Sequence, residues 1–177
     1  MLAINFFVAH MMCIYHNTPK VAVKIIHPAV REVIEIDLKL MNLCAYFMEN
    51  VFGLQSLSLC ESVDEFSNIM LQQIDFTIEA KNLLKFREKF GCDSKNPNSR
   101  SKNITFPKPI PNLVREGVLV ETYQPGVLMT DLLKDDKLHK SVRQKLAKLG
   151  LEAILKMTFE YNFIHGDLHP GHIYFSL

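Results

Sequence analysis

The sequence predicts an α+β domain, and three observations carry that prediction. A short β-branched run, KVAVKIIHP at 20–28, is closed by a proline. Two long stretches between residues 29 and 90 repeat apolar residues at helical spacing. A Pro- and Gly-punctuated pair of apolar runs at 104–123 is followed by one more amphipathic stretch at 141–161. At 177 residues the chain is long enough for one domain with a sizeable core, or for a piece of a larger one.

The elements follow in order. MLAINFFVAHMMCIYHNTPK is apolar, but no Lys or Arg precedes Lys20, so it lacks the charged start of a secretory signal and the Arg-rich character of a transit peptide. With roughly 15 apolar residues it is short for a bilayer span, and a buried strand or helix is expected. The run 20–28 reads as a strand with Lys24 near its end. From Ala29 to about Phe52, the positions Val30, Val33, Ile34, Leu38, Met41, Ala45 and Met48 describe a helix that Gly53 stops. The stretch 40–60 raises the question of a membrane span, but Asn42, Glu49, Asn50 and Gln55 interrupt it, and a buried helix is expected. Ser62, with Glu65 three residues on, has the spacing of a capping box that opens a single helix to about Phe90.

Residues 91–103 are rich in Ser, Asn and Gly and read as an exposed loop. ITFPKPIPN and EGVLVETY are expected as two strands joined through a proline-rich connection, with QPGV as a turn. LMTDLLKDDKL reads as a short helix capped by Thr130, and residues 141–161 as an amphipathic helix. The closing FIHGDLHPGHIYFSL is expected to form a loop and a last strand.

Composition narrows the chemistry. Twenty basic and 19 acidic residues leave a net charge of +1, which is no footprint for a nucleic-acid partner. Cys13, Cys44, Cys60 and Cys92 are widely spaced without a CxxC pair and read as reduced structural thiols. A strand lysine, a helix glutamate and an aspartate after a long helix are what phosphoryl transfer requires. The lysine neutralises phosphates, the glutamate aims its ammonium, and the aspartate accepts or orients a hydroxyl proton. Lys24, Glu79 and Asp167 fill those places.

Plainer readings stand beside this one. Lys24 alone reads as a snorkelling surface residue, and Asp75 with Glu79, four residues apart, as an exposed repulsive pair. His165, Asp167, His169 and His172 have the HxDxH flavour of a zinc site, which would make the chain a metal-dependent hydrolase. A non-catalytic interaction module is the third reading.

VAVKIIHPAV at 21–30, QQIDFTIEAKNLLKF at 72–86 and FIHGDLHPG at 163–171, supported by VLVETYQPGV at 118–127, carry a resemblance. Over residues 20–177 the chain resembles the UbiB/aarF family of atypical kinases, which includes mitochondrial aarF domain-containing kinases. The Gln-x-Asp-x-x-x-Glu-Ala helix makes it specific, because HGDLHPG loops also occur in other kinase-like families. The resemblance implies a protein-kinase-like fold in incomplete form. A partial N-lobe with an inserted helix would occupy about 20–123, and the start of a C-lobe, through the catalytic loop, about 124–177; residues 1–19 are unassigned.

It implies ATP or ADP with Mg²⁺, a role in coenzyme Q and lipid metabolism, a mitochondrial location, and adenine nucleotide together with a lipid or membrane surface as partners. By position, Lys24 would meet the α- and β-phosphates and pair with Glu79, and Asp167 would be the catalytic-loop aspartate. The backbone of Glu121 to Tyr123 would be the hinge at the adenine edge, and Gln73 and Asp75 would occupy the family's Glu-x-Asp motif. His165 and His169 would be structural, one bonding loop backbone and one packing near the phosphate site.

The sequence also departs from the family. His172 stands where an asparagine helps hold Mg²⁺, and imidazole suits later metals than Mg²⁺. No Asp-Phe-Gly follows before Leu177, and neither a Gly- or Ala-rich loop nor Lys-x-Gly-Gln precedes VAVK. The expectation is impaired catalysis in a truncated piece, with exposed apolar surface along helix 141–161 and low solubility.

Overall fold

The computed structural model describes residues 8–13, 20–93, 103–134, 138–166 and 168–175. Its contacts divide the chain into two compact units, one of Ile4–Asn82 with Pro109–Glu121, the other chiefly of Leu83–Lys108 and Thr122–Leu177.

In the first unit, strands β1 (Val8–Cys13) and β2 (Val21–Ile26) pair antiparallel, with Val8 opposite Ile26 and Cys13 opposite Val21. Strand β3 (Val118–Thr122) completes a sheet in the order β1-β2-β3. Helix α1 (Val30–Val51) follows β2, and Gly53, at φ +69°, ends it in a conformation that glycine adopts without strain. Ile34 and Leu38 of α1 pack with Met70 and Ile74, and Ile26, Val30 and Leu71 close the cluster.

The buried helix expected within 40–60 is corrected by this packing. Leu40, Leu43, Tyr46, Phe47 and Val51 are exposed, because helix α2 (Leu59–Gln73) covers one stripe of α1 and these residues lie outside that stripe. Among the described residues no helix is long and apolar enough to cross a membrane.

The single helix expected over 62–90 is two. The first begins at Leu59, and the Ser62 cap is not used: Ser62 Oγ donates back to the Ser58 carbonyl at 3.0 Å inside the helix. A tertiary cap replaces it, with Glu49 of α1 accepting the Cys60 N–H at 3.1 Å. That donor holds the Glu49 carboxyl below the usual range. The second, α3 (Phe76–Lys89), restarts because Asp75 Oδ1 accepts the Thr77 N–H at 2.8 Å, a local bond that competes with helix continuation.

ITFPKPIPN is not a strand. Pro107, Pro109 and Pro111 offer no N–H, so pairing with β3 shrinks to a bridge at Pro109 and Glu121, flanked by Ile110 N–H to Val120 O and Thr122 N–H to Lys108 O, both 2.9 Å. A 3₁₀ turn at Pro111–Leu113 follows.

In the second unit, α3 ends in a Schellman motif at Gly91 (φ +63°), with Cys92 N–H on the Arg87 carbonyl and Gly91 N–H on that of Glu88. Arg87 is buried on the Asp93 carboxylate and the Phe106 carbonyl. Of the loop expected at 91–103, residues 94–102 lie outside the described residues. Strand β4 (Val127–Leu128) leads into α4 (Met129–Lys134), where Thr130 lies inside the first turn rather than at the cap. Helix α5 (Lys140–Leu155) is capped by His139 and runs on through a π turn at Lys156–Glu160. Its expected apolar exposure is present, with Leu151, Ile154, Leu155 and Phe159 all uncovered. Strand β5 (Tyr174–Phe175) returns antiparallel to β4. A side chain at Gly126 would lie 2.8 Å from the Phe175 carbonyl, so the QPGV turn needs its glycine.

Candidate functional site

Strand alternation puts Lys24 on the face of β2 that carries Ala22 and Ile26. Its Nζ donates to Glu79 Oε1 at 2.6 Å, across 55 residues of sequence. Glu79 lies in the first turn of α3, where the Asp75 cap sets the helix start and the helix dipole favours a carboxylate. The surface reading of Lys24 and the exposed repulsive pair both give way here, since Asp75 is engaged with the α3 backbone and Glu79 with the lysine.

A second carboxylate joins them. Glu121 Oε1 lies 3.5 Å from Lys24 Nζ, and the side-chain exposures of Lys24, Glu79 and Glu121 are 22%, 38% and 6%. Sequence reasoning gave Glu121 a backbone role and missed its side chain. The signal was available: in the strand VLVET, alternation places Glu121 on the face of Leu119, which is fully buried. Burial pushes the Glu121 carboxyl above its ordinary range, with the Glu79 charge adding to the rise and Lys24 opposing it. For Lys24, burial pulls downward, but the carboxylates of Glu79 and Glu121 together outweigh it and hold the ammonium above its usual range. Glu121 Oε2 is buried without a hydrogen-bond partner among the described residues.

Gln73 is the exposed last residue of α2, so the Gln-x-Asp pair sits at the α2–α3 junction. Tyr123 is half-buried just beyond β3, and the Thr122 N–H between it and Glu121 is taken by Lys108.

Asp167 lies outside the described residues. Before it, Phe163 and His165 are seated by rings of their own unit. Phe86 of α3 stacks on Phe106 at 5.0 Å and meets Phe163 at 4.5 Å and His165 at 5.8 Å; Phe90 meets Tyr161 at 5.0 Å. The Phe163 N–H donates to the Met157 carbonyl at 2.9 Å. His169 accepts the Gly171 N–H on Nδ1 at 3.1 Å, and its ring lies 3.9 Å from that of His172. A Cβ on Gly171 would come within 2.7 Å of the His169 ring. Among the described residues, no three His, Cys, Asp or Glu side chains converge on a cation position.

Residues 12–176 match the model of the ABC1 atypical kinase-like domain. The chain belongs to the ABC1 atypical kinase-like family. An ABC1 family protein of Saccharomyces cerevisiae, named as mitochondrial, is 38% identical over 154 residues, covering 86% of this chain and 22% of its own length. The "Probable protein kinase UbiB" of Tolumonas auensis is 26% identical over 167 residues, covering 94% of this chain and 29% of itself. The chain thus spans between a fifth and a third of these curated relatives. A solved structure, the erythromycin complex of Rv3197 from Mycobacterium tuberculosis, superposes with a TM-score of 0.66 at 22% identity, over 93% of this chain and 38% of that one. The family expected from the motifs is therefore the family found, and the fold is kinase-like with mixed helix and strand. Membership of this family implies ATP and Mg²⁺ use in general terms. Names of fungal relatives as mitochondrial and of a plant relative as chloroplastic support an organellar location.

Proposed function

We propose that the chain binds adenine nucleotide at the Lys24 centre and forms the nucleotide-handling part of an atypical kinase or ATPase with a role in coenzyme Q and lipid metabolism. The observation that carries this reading is the Lys24–Glu79 contact of 2.6 Å in a half-buried setting. An ammonium held on a strand by a helix carboxylate is aimed and partly desolvated, the state in which it stabilises phosphate charge most strongly. In this reading Lys24 neutralises the α- and β-phosphates, Glu79 keeps it aimed, and the Glu121–Tyr123 backbone meets the adenine edge. Gln73 and Asp75 border the nucleotide, and Asp167 accepts or orients the proton of the attacking hydroxyl. Residues 20–123 would be the N-lobe and 124–177 the start of the C-lobe.

The chain's own groups fit the phosphates through Lys24. They do not offer Mg²⁺ a comparable set among the described residues, and His172 presents imidazole where hard oxygen is preferred. Weak or absent turnover with intact binding is the expected behaviour.

Thermal shift and calorimetry with ATP and ADP, with and without Mg²⁺, on the wild-type chain and Lys24→Ala test this. Binding that Lys24→Ala abolishes supports the reading, and absence of binding by a folded wild-type chain removes it. The exposed apolar faces of α1 and α5 favour a second reading, a non-catalytic module that docks a partner or a lipid through its helices. It predicts a folded chain that ignores nucleotide.

A further inference from the structure

We propose that Glu121 is a positioning residue for Lys24: it shares the ammonium with Glu79 while no anion is bound, and when a phosphate group arrives it yields that contact and takes up a proton from solvent. This rests on the nucleotide reading and deepens it by linking binding at Lys24 to protonation of one named side chain.

Charge balance motivates the inference. One ammonium faces two carboxylates, so the three side chains carry a net charge of −1 when all are ionised, and a polyanionic phosphate added there meets repulsion unless a negative charge is removed. The geometry indicates which one. Glu79 holds Lys24 at 2.6 Å, whereas Glu121 stands at 3.5 Å, the looser contact and the first to lengthen when a phosphate oxygen accepts a hydrogen bond from the ammonium and draws it over.

Burial decides what happens next. Glu79 is exposed enough for water to solvate its charge. Glu121 is nearly enclosed, its Oε2 has no partner among the described residues, and Lys24 is the cation that compensates it. Stripped of Lys24, a carboxylate in that setting is stable only as the neutral acid. The charged side chains bearing on Glu121 are Lys24 from β2 and Glu79 from α3, one attracting and one repelling; both effects turn toward protonation when Lys24 is engaged elsewhere. The opposite residue on the neighbouring segment is Pro109, which offers Glu121 no N–H.

The test is calorimetry of metal-free ADP with wild type, Glu121→Gln and Glu79→Gln, in buffers of matched pH and different ionisation enthalpy. Comparison with Glu121→Gln subtracts the ligand's own protonation. Wild type should take up close to one proton more per ADP than Glu121→Gln, and its affinity should fall roughly tenfold more per pH unit as pH rises above the Glu121 titration. Glu79→Gln should bind more weakly yet keep the proton uptake. Equal proton uptake in wild type and Glu121→Gln, with ADP bound by both, overturns the proposal while leaving the nucleotide reading intact.

If no protein binds ADP, the nucleotide reading fails, and ¹³C-carboxyl NMR of Glu121 decides the positioning role by itself. A titration that moves upward on Lys24→Met supports the shared ammonium, and one that stays put overturns it.

Discussion

The Lys24 centre and the 163–175 loop are built by different physics. At the first, residues 24, 79 and 121 come from two strands and a helix, and charge holds them together in a setting where an unpaired group is expensive. At the second, bonds between near neighbours, His169 with Gly171 and Phe163 with Met157, shape the chain, and a cluster of rings around Phe86 and Phe90 seats its start. The contrast separates two failure modes. Removing a charge at the first unbalances the remaining ones, and removing a ring at the second leaves a hole.

The largest effect should come from the rings. Phe86→Ala removes a nearly inaccessible side chain that touches Phe106, Phe163 and His165, and should lower stability by about 3–5 kcal/mol in urea unfolding. A loss below that of an average surface substitution would show that the loop is held otherwise. Lys24→Met should be milder, about 1–3 kcal/mol, since it leaves Glu121 buried without its cation while Glu79 can turn to water.

Acid–base behaviour sharpens the same contrast. The Glu121 carboxyl is raised, chiefly by burial, so the folded chain binds its proton more tightly than the unfolded chain does. The stability this confers is complete below the ordinary carboxylate range and is lost as pH rises through the raised value. Glu121→Gln should flatten that decline in pH-dependent melting, and an unchanged pH profile would count against a buried, titrating Glu121. The smallest effect expected is at the α2–α3 junction, where Asp75→Ala removes a cap and should cost about 1 kcal/mol, read as a lower melting temperature.

What was legible in the sequence was what has a period. β2, α1 and α5 announce themselves through β-branched or 3.6-residue patterning, and their boundaries fall within a few residues of the expected ones. The α2–α3 break was hidden because Ile74 and Phe76 continue the apolar rhythm while one side-chain bond from Asp75 interrupts the backbone. Glu49 capping a helix eleven residues away, in place of the local Ser62 and Glu65, is a tertiary choice that no window of sequence displays. The 104–112 segment misled because its apolar content signals a strand while its alternate prolines remove the donors that a strand needs.

At the site, Lys24 and Glu79 were legible as a pattern of parts, although 55 residues separate them. The Glu121 carboxylate is legible as well, since a glutamate alternating with Leu119 in an apolar strand is itself a sign of a buried charge seeking a partner.

The most direct test of the central claim is calorimetric titration of ADP into the purified wild-type chain and into Lys24→Ala, with circular dichroism to establish that both are folded. The account predicts saturable binding to wild type and none to the variant. Equal binding by both, or none by a folded wild type, would contradict it.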